Sequence, residues 1–262
     1  MALAGAAVCA CGWLATHADA TALPTLTPGV LTVAVDVPVT GLAEGTVRNG
    51  RIVGARGFEV DVAGAVARRL GLRLRLVAVP FGQTFAPGAK AFDVAIEHVT
   101  ITRARARAVD FSRTYFVTNK GVLLANGVAV PKSLADLRRL RLCAQSSTTS
   151  LAYVRTRLKP RRPPHEYPAP IDVLRAVSDG FCQAMVADLP ILAATKRRDP
   201  TSYGPLAGQI ATRERYGAVL QKGSLLRRPV DRALASLVAA GTVDRLAVRW
   251  FGPGWDEIPT LR

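Results

Sequence analysis

Histidine is scarce in this chain: three in 262 residues. No metal-ligand spacing, glycine-rich phosphate loop or nucleophile–base pair at motif spacing is present, so metalloenzyme and nucleotide-hydrolase chemistry find no support. No apolar run is long enough for an internal transmembrane helix. Acidic residues are also few, 19 against 35 basic ones, giving a net charge of +16. Such a charge favours anionic partners. The basic residues are scattered in pairs and are not interleaved with aromatics, and nucleic-acid binding needs a focused stripe. No nucleic-acid partner is expected, and no cofactor or metal.

Half of the sequence is hydrophobic (49%), enough for a sizeable core in one large or two small domains. Met1 to Ala15 is small and apolar, and Ala18-Asp19-Ala20 is an A-x-A cleavage pattern, although no Lys or Arg precedes Arg48. We expect residues 1–20 to be an export leader. Lipidation at Cys11 is the less favoured alternative. Cleavage would leave two cysteines, Cys143 and Cys182. Two states are open to them: a disulfide, which export permits, or a pair of buried thiols.

Leu31 to Val35 is a short apolar run suited to a buried strand. Gly41 to Gly57 reads as a glycine-rich charged loop. Phe58, Val62, Val66 and Leu70 recur at helical spacing up to Gly71. Leu72, Leu74, Leu76 and Ala78 alternate as a strand ended by Pro80, and Asp93 to Ile96 is another short strand. The pattern then restarts. Leu140, Leu142 and Ala144 alternate, Leu151, Val154 and Leu158 mark a helix, and Lys159 to Pro170 is a proline-rich connection. Ile171, Leu174 and Val177 form the next helix face. Gln183 to Ala187 is a strand, and Pro190 opens another helix. Two helices close the chain, one striped by Val230, Ala233, Leu234 and Leu237, one capped by Thr242. Two α/β units in series imply a cleft between them, with ligands beyond the carboxyl ends of strands.

The segment Ile96 to Ser112 carries the densest chemistry. A strand end meets Thr100-Ile101-Thr102, then a short arginine-bearing helix, then Val109-Asp110-Phe111-Ser112. Hydroxyls, free backbone N–H groups and a guanidinium can converge there on a carboxylate.

The order of motifs resembles a known family. Gly57-Phe58-Glu59-Val60-Asp61-Val62-Ala63 and Val79-Pro80-Phe81 come first, then Phe92-Asp93, Thr100 to Arg105 and Val109 to Tyr115. Gln145 to Thr149, Ala187-Asp188, Tyr216-Gly217, Gly241-Thr242 and Trp250-Phe251-Gly252 follow in order. Together these are similar to the family 3 extracellular solute-binding proteins, the polar amino-acid receptors of ABC importers, over about residues 29–252. The resemblance implies a two-lobe, type II periplasmic-binding-protein-like α/β fold, each lobe a mixed sheet flanked by helices. Lobe 1 would comprise 28–117 with 218–262, and lobe 2 would comprise 118–217, hinged near Phe116–Lys120 and Arg215–Val219 and closing on ligand.

The resemblance also implies roles. Arg105 would pair with the ligand α-carboxylate. Thr100, Thr148 and Thr149 would add hydrogen bonds to it, and Asp188 would accept the α-ammonium. Phe81 would be an apolar wall. The expected protein is a monomeric, non-catalytic, extracytoplasmic binding protein. It would deliver a polar or acidic amino acid, or a related small carboxylate, to a membrane permease.

Four departures from the family pattern bear on the ligand. Glu97 and His98 stand where small residues are usual; either both turn outward or the ligand is altered, with His98 a candidate ligand contact. Ser147 replaces a glycine. The first loop, Asp36-Val37-Pro38-Val39, lacks the usual aromatic, and Arg48 or Arg51 could meet a side-chain carboxylate there. Two other readings follow from the same residues. One is an enzyme on this fold, resembling cyclohexadienyl dehydratase, with Glu97 and His98 as an acid/base pair. The other is a sensory ligand-binding domain.

Overall fold

The computed structural model describes residues 23–262. The expected leader, with Cys9 and Cys11, lies outside them. The chain opens with strand β1 (Val30–Val35), buried at all six positions. A hairpin follows, β2 (Glu44–Arg48) and β3 (Arg51–Arg56). This hairpin replaces the loop expected over Gly41 to Gly57. Asn49 and Gly50, both at positive φ (49° and 72°), form the tight turn that pairs the strands.

Helix α1 (Phe58–Arg69) starts at Gly57 (φ 135°), where an added Cβ would come within 2.1 Å of the Leu42 carbonyl oxygen, so only glycine fits. Its Phe58, Val62 and Val66 face the core, and Gly71 at φ 67° closes it. Strand β4 (Arg73–Ala78), the single turn α2 (Phe81–Thr84) and the two-residue strand β5 (Val94–Ala95) complete the first unit.

Strand β6 (Val109–Leu124) runs for sixteen residues. A short α3 (Leu134–Leu137) leads to β7 (Leu142–Gln145) and α4 (Thr149–Tyr153), which continues as a wider turn through Leu158. The proline-rich connection holds an unanticipated strand, β8 (His165–Tyr167), paired to β7. Then come α5 (Pro170–Ser178), β9 (Ala184–Asp188), α6 (Leu189–Arg198) and a second sixteen-residue strand, β10 (Leu206–Gln221). Helices α7 (Arg227–Ala239) and α8 (Thr242–Phe251) finish the fold. Gly241, not Thr242, occupies the N-cap of α8. The Thr242 hydroxyl instead accepts from Arg245.

One eight-stranded mixed sheet runs in the order β4-β1-β5-β10-β6-β9-β7-β8, and the hairpin β2–β3 stands apart as a two-stranded sheet. Strands β4, β1 and β5 pair in parallel at one end, and β9, β7 and β8 do so at the other. The long antiparallel strands β6 and β10 span both ends, with register shifts between Ile210 and Glu214 and around Gly217. Apolar packing follows the same division. The largest cluster joins β1, α1, α7 and α8, including Leu31, Phe58, Leu234 and Phe251. Separate clusters hold the other end, around Leu124, Leu142 and Val186 and around Leu123, Val173 and Met185. Cys143 of β7 and Cys182, in the turn before β9, are joined as a disulfide, which resolves the two states the sequence left open. No helix among the described residues is long and apolar enough to cross a membrane.

Candidate functional site

Three strands end at one place. Past β5 lie Glu97 to Thr100, β7 ends at Gln145, and β9 ends at Asp188. Between them lies a cleft of about 380 Å³ including its mouth. Phe81, His98, Thr100, Arg105, Thr148, Thr149 and Asp188 all line it. These seven residues, expected from the sequence to touch ligand, are therefore brought to one cleft.

Arg105 sits in a single 3₁₀ turn (Arg105–Arg107) and is buried, whereas Arg103 and Arg107 are exposed. Its guanidinium donates from Nη1 to the Thr100 carbonyl and from Nη2 to the Ser147 carbonyl, both at 2.9 Å. The second bond crosses the cleft. The group also lies over the Phe85 ring, 4.1 Å from its centroid, and 5.3 Å from that of Phe81. Burial lowers its pKa to about 10, which leaves it charged at neutral pH. Two bonds use two of its five N–H groups, so three are open to an acceptor. Ser147 takes up the backbone of the glycine it replaces: its φ is 63°. That conformation aims its carbonyl at Arg105.

Thr148 caps α4, accepting from Leu151 N at 3.1 Å and donating to the Gln145 carbonyl at 2.6 Å. The hydroxyls of Thr100 and Thr149 converge from opposite sides of the cleft on one protein carboxylate, Glu214 Oε2, at 2.8 Å each. Lys120, 1% exposed, ties the floor together. Its ammonium donates to Thr149 Oγ1 at 2.9 Å and lies 3.0 Å from Glu214 Oε1 and 3.4 Å from Asp188 Oδ1. Asp188 does not cap α6 with its side chain. Its carboxylate accepts from Tyr216 Oη at 2.7 Å and from Ser150 Oγ at 3.3 Å.

Neither Glu97 nor His98 turns outward: they are 0% and 4% exposed. His98 Nδ1 lies 3.3 Å from both oxygens of Glu59, a wholly buried acid in the first turn of α1. The imidazole stacks on Phe81, centroids 5.0 Å apart and planes 13° from parallel. Burial opposes the charged imidazole, but the charges of Glu59, Asp36 and Asp188 and the bond from Glu59 outweigh it, so the His98 pKa is raised. Burial pushes the Glu97 carboxyl well above the usual carboxylate range. Arg48 and Arg51 lie exposed on the hairpin and line no part of the cleft. The described residues hold no group of three or more His, Cys, Asp or Glu disposed to hold a metal ion.

Lys120, Glu214, Glu59 and Ser150 were not anticipated. Lys120 has one signal, a lone cation at the head of the apolar run Gly121 to Leu124. Glu214 lies in Arg213-Glu214-Arg215 and looks like surface charge. Glu59 looks like an ordinary acid in a helix first turn.

Two α/β units joined by paired long strands, with a polar cleft where their strands end, define the class of two-lobed periplasmic binding proteins. The chain belongs to the bacterial extracellular solute-binding proteins, family 3, whose family model matches residues 45–253. It is similar to the L-cystine-binding protein TcyJ of Escherichia coli (strain K12), 28% identical over 202 residues, covering 75% of this chain and 74% of that protein. Among solved structures it is similar to an ancestral arginine-binding protein bound to arginine, with TM-score 0.75 and 27% identity over 86% of this chain and 99% of that one. It is also similar to the ancestral amino acid-binding protein AncCDT-1, a precursor of cyclohexadienyl dehydratase, with TM-score 0.72 and 26% identity over 85% and 95%.

Proposed function

We propose that the chain is an extracytoplasmic receptor that captures an amino acid or related small carboxylate and delivers it to the permease of an ABC importer. The observation that carries this reading is Arg105, a buried, charged guanidinium with three uncommitted N–H groups, in one cleft with Asp188. The names of the relatives, receptors for cystine and arginine, support an amino acid as the ligand class.

In this reading Arg105 forks onto the ligand α-carboxylate. Thr100 and Thr149, whose hydroxyls donate to Glu214, re-aim toward that carboxylate, and the Thr148 segment offers backbone N–H groups. Asp188 accepts the α-ammonium through its remaining lone-pair capacity, and Phe81 walls the side chain. Lobe 1 is 28–117 with 218–262, and lobe 2 is 118–217. They move about the β6 and β10 crossings near Phe116–Lys120 and Arg215–Val219, where the β10 register shifts interrupt regular pairing. The receptor works as a monomer without a cofactor.

The test is a thermal-shift screen over the twenty amino acids and their keto-acid analogues. A ligand at 100 times its Kd should stabilise the protein by about 2.7 kcal/mol. Absence of a shift with every compound would sink the proposal.

One observation favours a second reading, an enzyme on the same fold. His98 lines the cleft with Nε2 unpartnered while Glu59 holds Nδ1. That is the arrangement of a carboxylate-backed acid/base. Product formation from prephenate or arogenate would support it.

A further inference from the structure

His98 is built at some cost. Its φ of 47° puts a non-glycine residue in the left-handed region. Such a conformation persists only where the surroundings enforce it, and it concentrates at functional sites. Three contacts enforce it here: the Glu59 carboxylate on Nδ1, Phe81 flat against the ring, and burial to 4% exposure. All of them fix the ring, which lines the cleft, and none uses Nε2, which is buried without a hydrogen-bond partner. A buried polar nitrogen held this rigidly and left unpaired is a group waiting for a ligand atom.

The chemistry of that atom follows from the pair. Glu59 accepts the Nδ1 proton. Nε2 is then an acceptor in the neutral ring and a donor in the imidazolium. Both groups are buried, and an uncompensated buried charge is costly, so the carboxylate at 3.3 Å favours the imidazolium; the raised pKa of His98 points the same way. The Glu59–His98 pair is then neutral as a whole and leaves one uncommitted N–H on a ring that lines the cleft. Arg105 lies against the same Phe81 ring, so a single small molecule can reach both groups.

We propose that His98 determines specificity, donating Nε2–H to a side-chain carbonyl or carboxylate oxygen, so that the cleft takes glutamine- or glutamate-type amino acids. The inference rests on the amino-acid receptor reading and goes beyond it. A guanidinium or ammonium side chain would bring donors to a donor. An apolar side chain would leave Nε2–H unpaired, which costs about 10- to 100-fold in affinity.

The experiment is titration calorimetry of the mature protein with L-glutamine, L-glutamate, L-norvaline and L-arginine. The same four ligands are then offered to His98→Leu and to His98→Asn, which keeps an amide donor and tolerates positive φ. The native protein should prefer glutamine or glutamate to norvaline and arginine by about 10-fold or more. His98→Leu should bring the glutamine-to-norvaline ratio toward one, and His98→Asn should restore part of it. Should His98→Leu not fold, the native ranking and the Asn variant decide alone. Arginine or norvaline binding as tightly as glutamine would overturn the proposal. So would a His98→Leu variant that weakens all four ligands equally, because His98 would then touch the α-carboxylate. If no amino acid binds at all, the receptor reading falls and this inference with it. If amino acids bind without regard to His98, only this inference falls.

Discussion

Lys120 and Glu214 are ion-paired at 3.0 Å against the cleft-lining Thr149, their side chains 1% and 7% exposed. They stand on the two long strands β6 and β10. Through Thr100, Thr149 and Asp188 they bind the strand ends of both units into one network. Lys120 is the only ammonium in this network and neutralises part of two buried carboxylates.

Removing that ammonium should be expensive. Lys120→Met leaves Glu214 and Asp188 without their shared cation, and breaking a buried ion pair from one side costs about 3–5 kcal/mol. Urea denaturation should show that loss. Adding Glu214→Gln to the same chain should recover part of it, because one uncompensated charge disappears. A Lys120→Met variant as stable as the parent would mean the network is solvated in solution.

Arg105→Lys should separate charge from geometry. An ammonium retains the positive charge but has no fork, cannot stack on Phe85 and cannot span the Thr100 and Ser147 carbonyls. Ligand affinity should fall about 100-fold while the fold persists, read as calorimetric Kd beside an unchanged circular-dichroism spectrum. Retention of affinity would remove Arg105 from the proposed clamp.

Stability should decline as pH rises past neutrality. His98 faces Glu59 of α1, Asp36 beyond β1, Asp188 at the end of β9, and the Tyr115 and Tyr216 rings of β6 and β10; Phe81 stacks on it, and Glu97 precedes it. Its folded pKa lies above the unfolded value near 6.5, so the folded state holds the proton more tightly. That stabilisation is complete below about pH 6.5 and is lost as pH rises through the raised value. Glu59 and Glu97, both shifted upward by burial, act in the same direction. The melting temperature should therefore fall from pH 6.5 toward pH 9, and His98→Asn should flatten the curve. A rising curve over that range would contradict the pairing.

Reduction should destabilise the second unit. The Cys143–Cys182 bond closes a separation of 39 residues. Opening a loop of that size releases chain entropy equivalent to about 2–4 kcal/mol. A Cys143→Ser/Cys182→Ser double variant should melt lower by that margin in urea and show no response to dithiothreitol. Equal stability with and without reductant would show that the bond is not formed in solution.

Local signals made much of the fold legible. β1, α1, β4, α5, β9 and α7 follow from apolar spacing and from glycine and proline punctuation, because each buries one regular face. Residues 41–57 were misread because charge and glycine hid the Asn49-Gly50 turn. β8 was missed because three exposed or half-buried residues carry no alternation. The long strands β6 and β10 gave no clean signal either, since their faces change from one unit to the other along their length.

By itself the sequence determined the α/β alternation, the family pattern and the set of cleft residues from Phe81 to Asp188. Those depend on spacing and on residue types at strand ends, which are local. Tertiary structure alone decided the partners. It gave the Thr100 and Thr149 hydroxyls to Glu214, put Lys120 against Asp188, and set His98 on Glu59 with Nε2 left unpartnered. The partners in these contacts are 39 to 114 residues apart in the chain. Whether a polar group is surface charge or cleft chemistry depends on what is packed around it, and packing is not written in any local pattern.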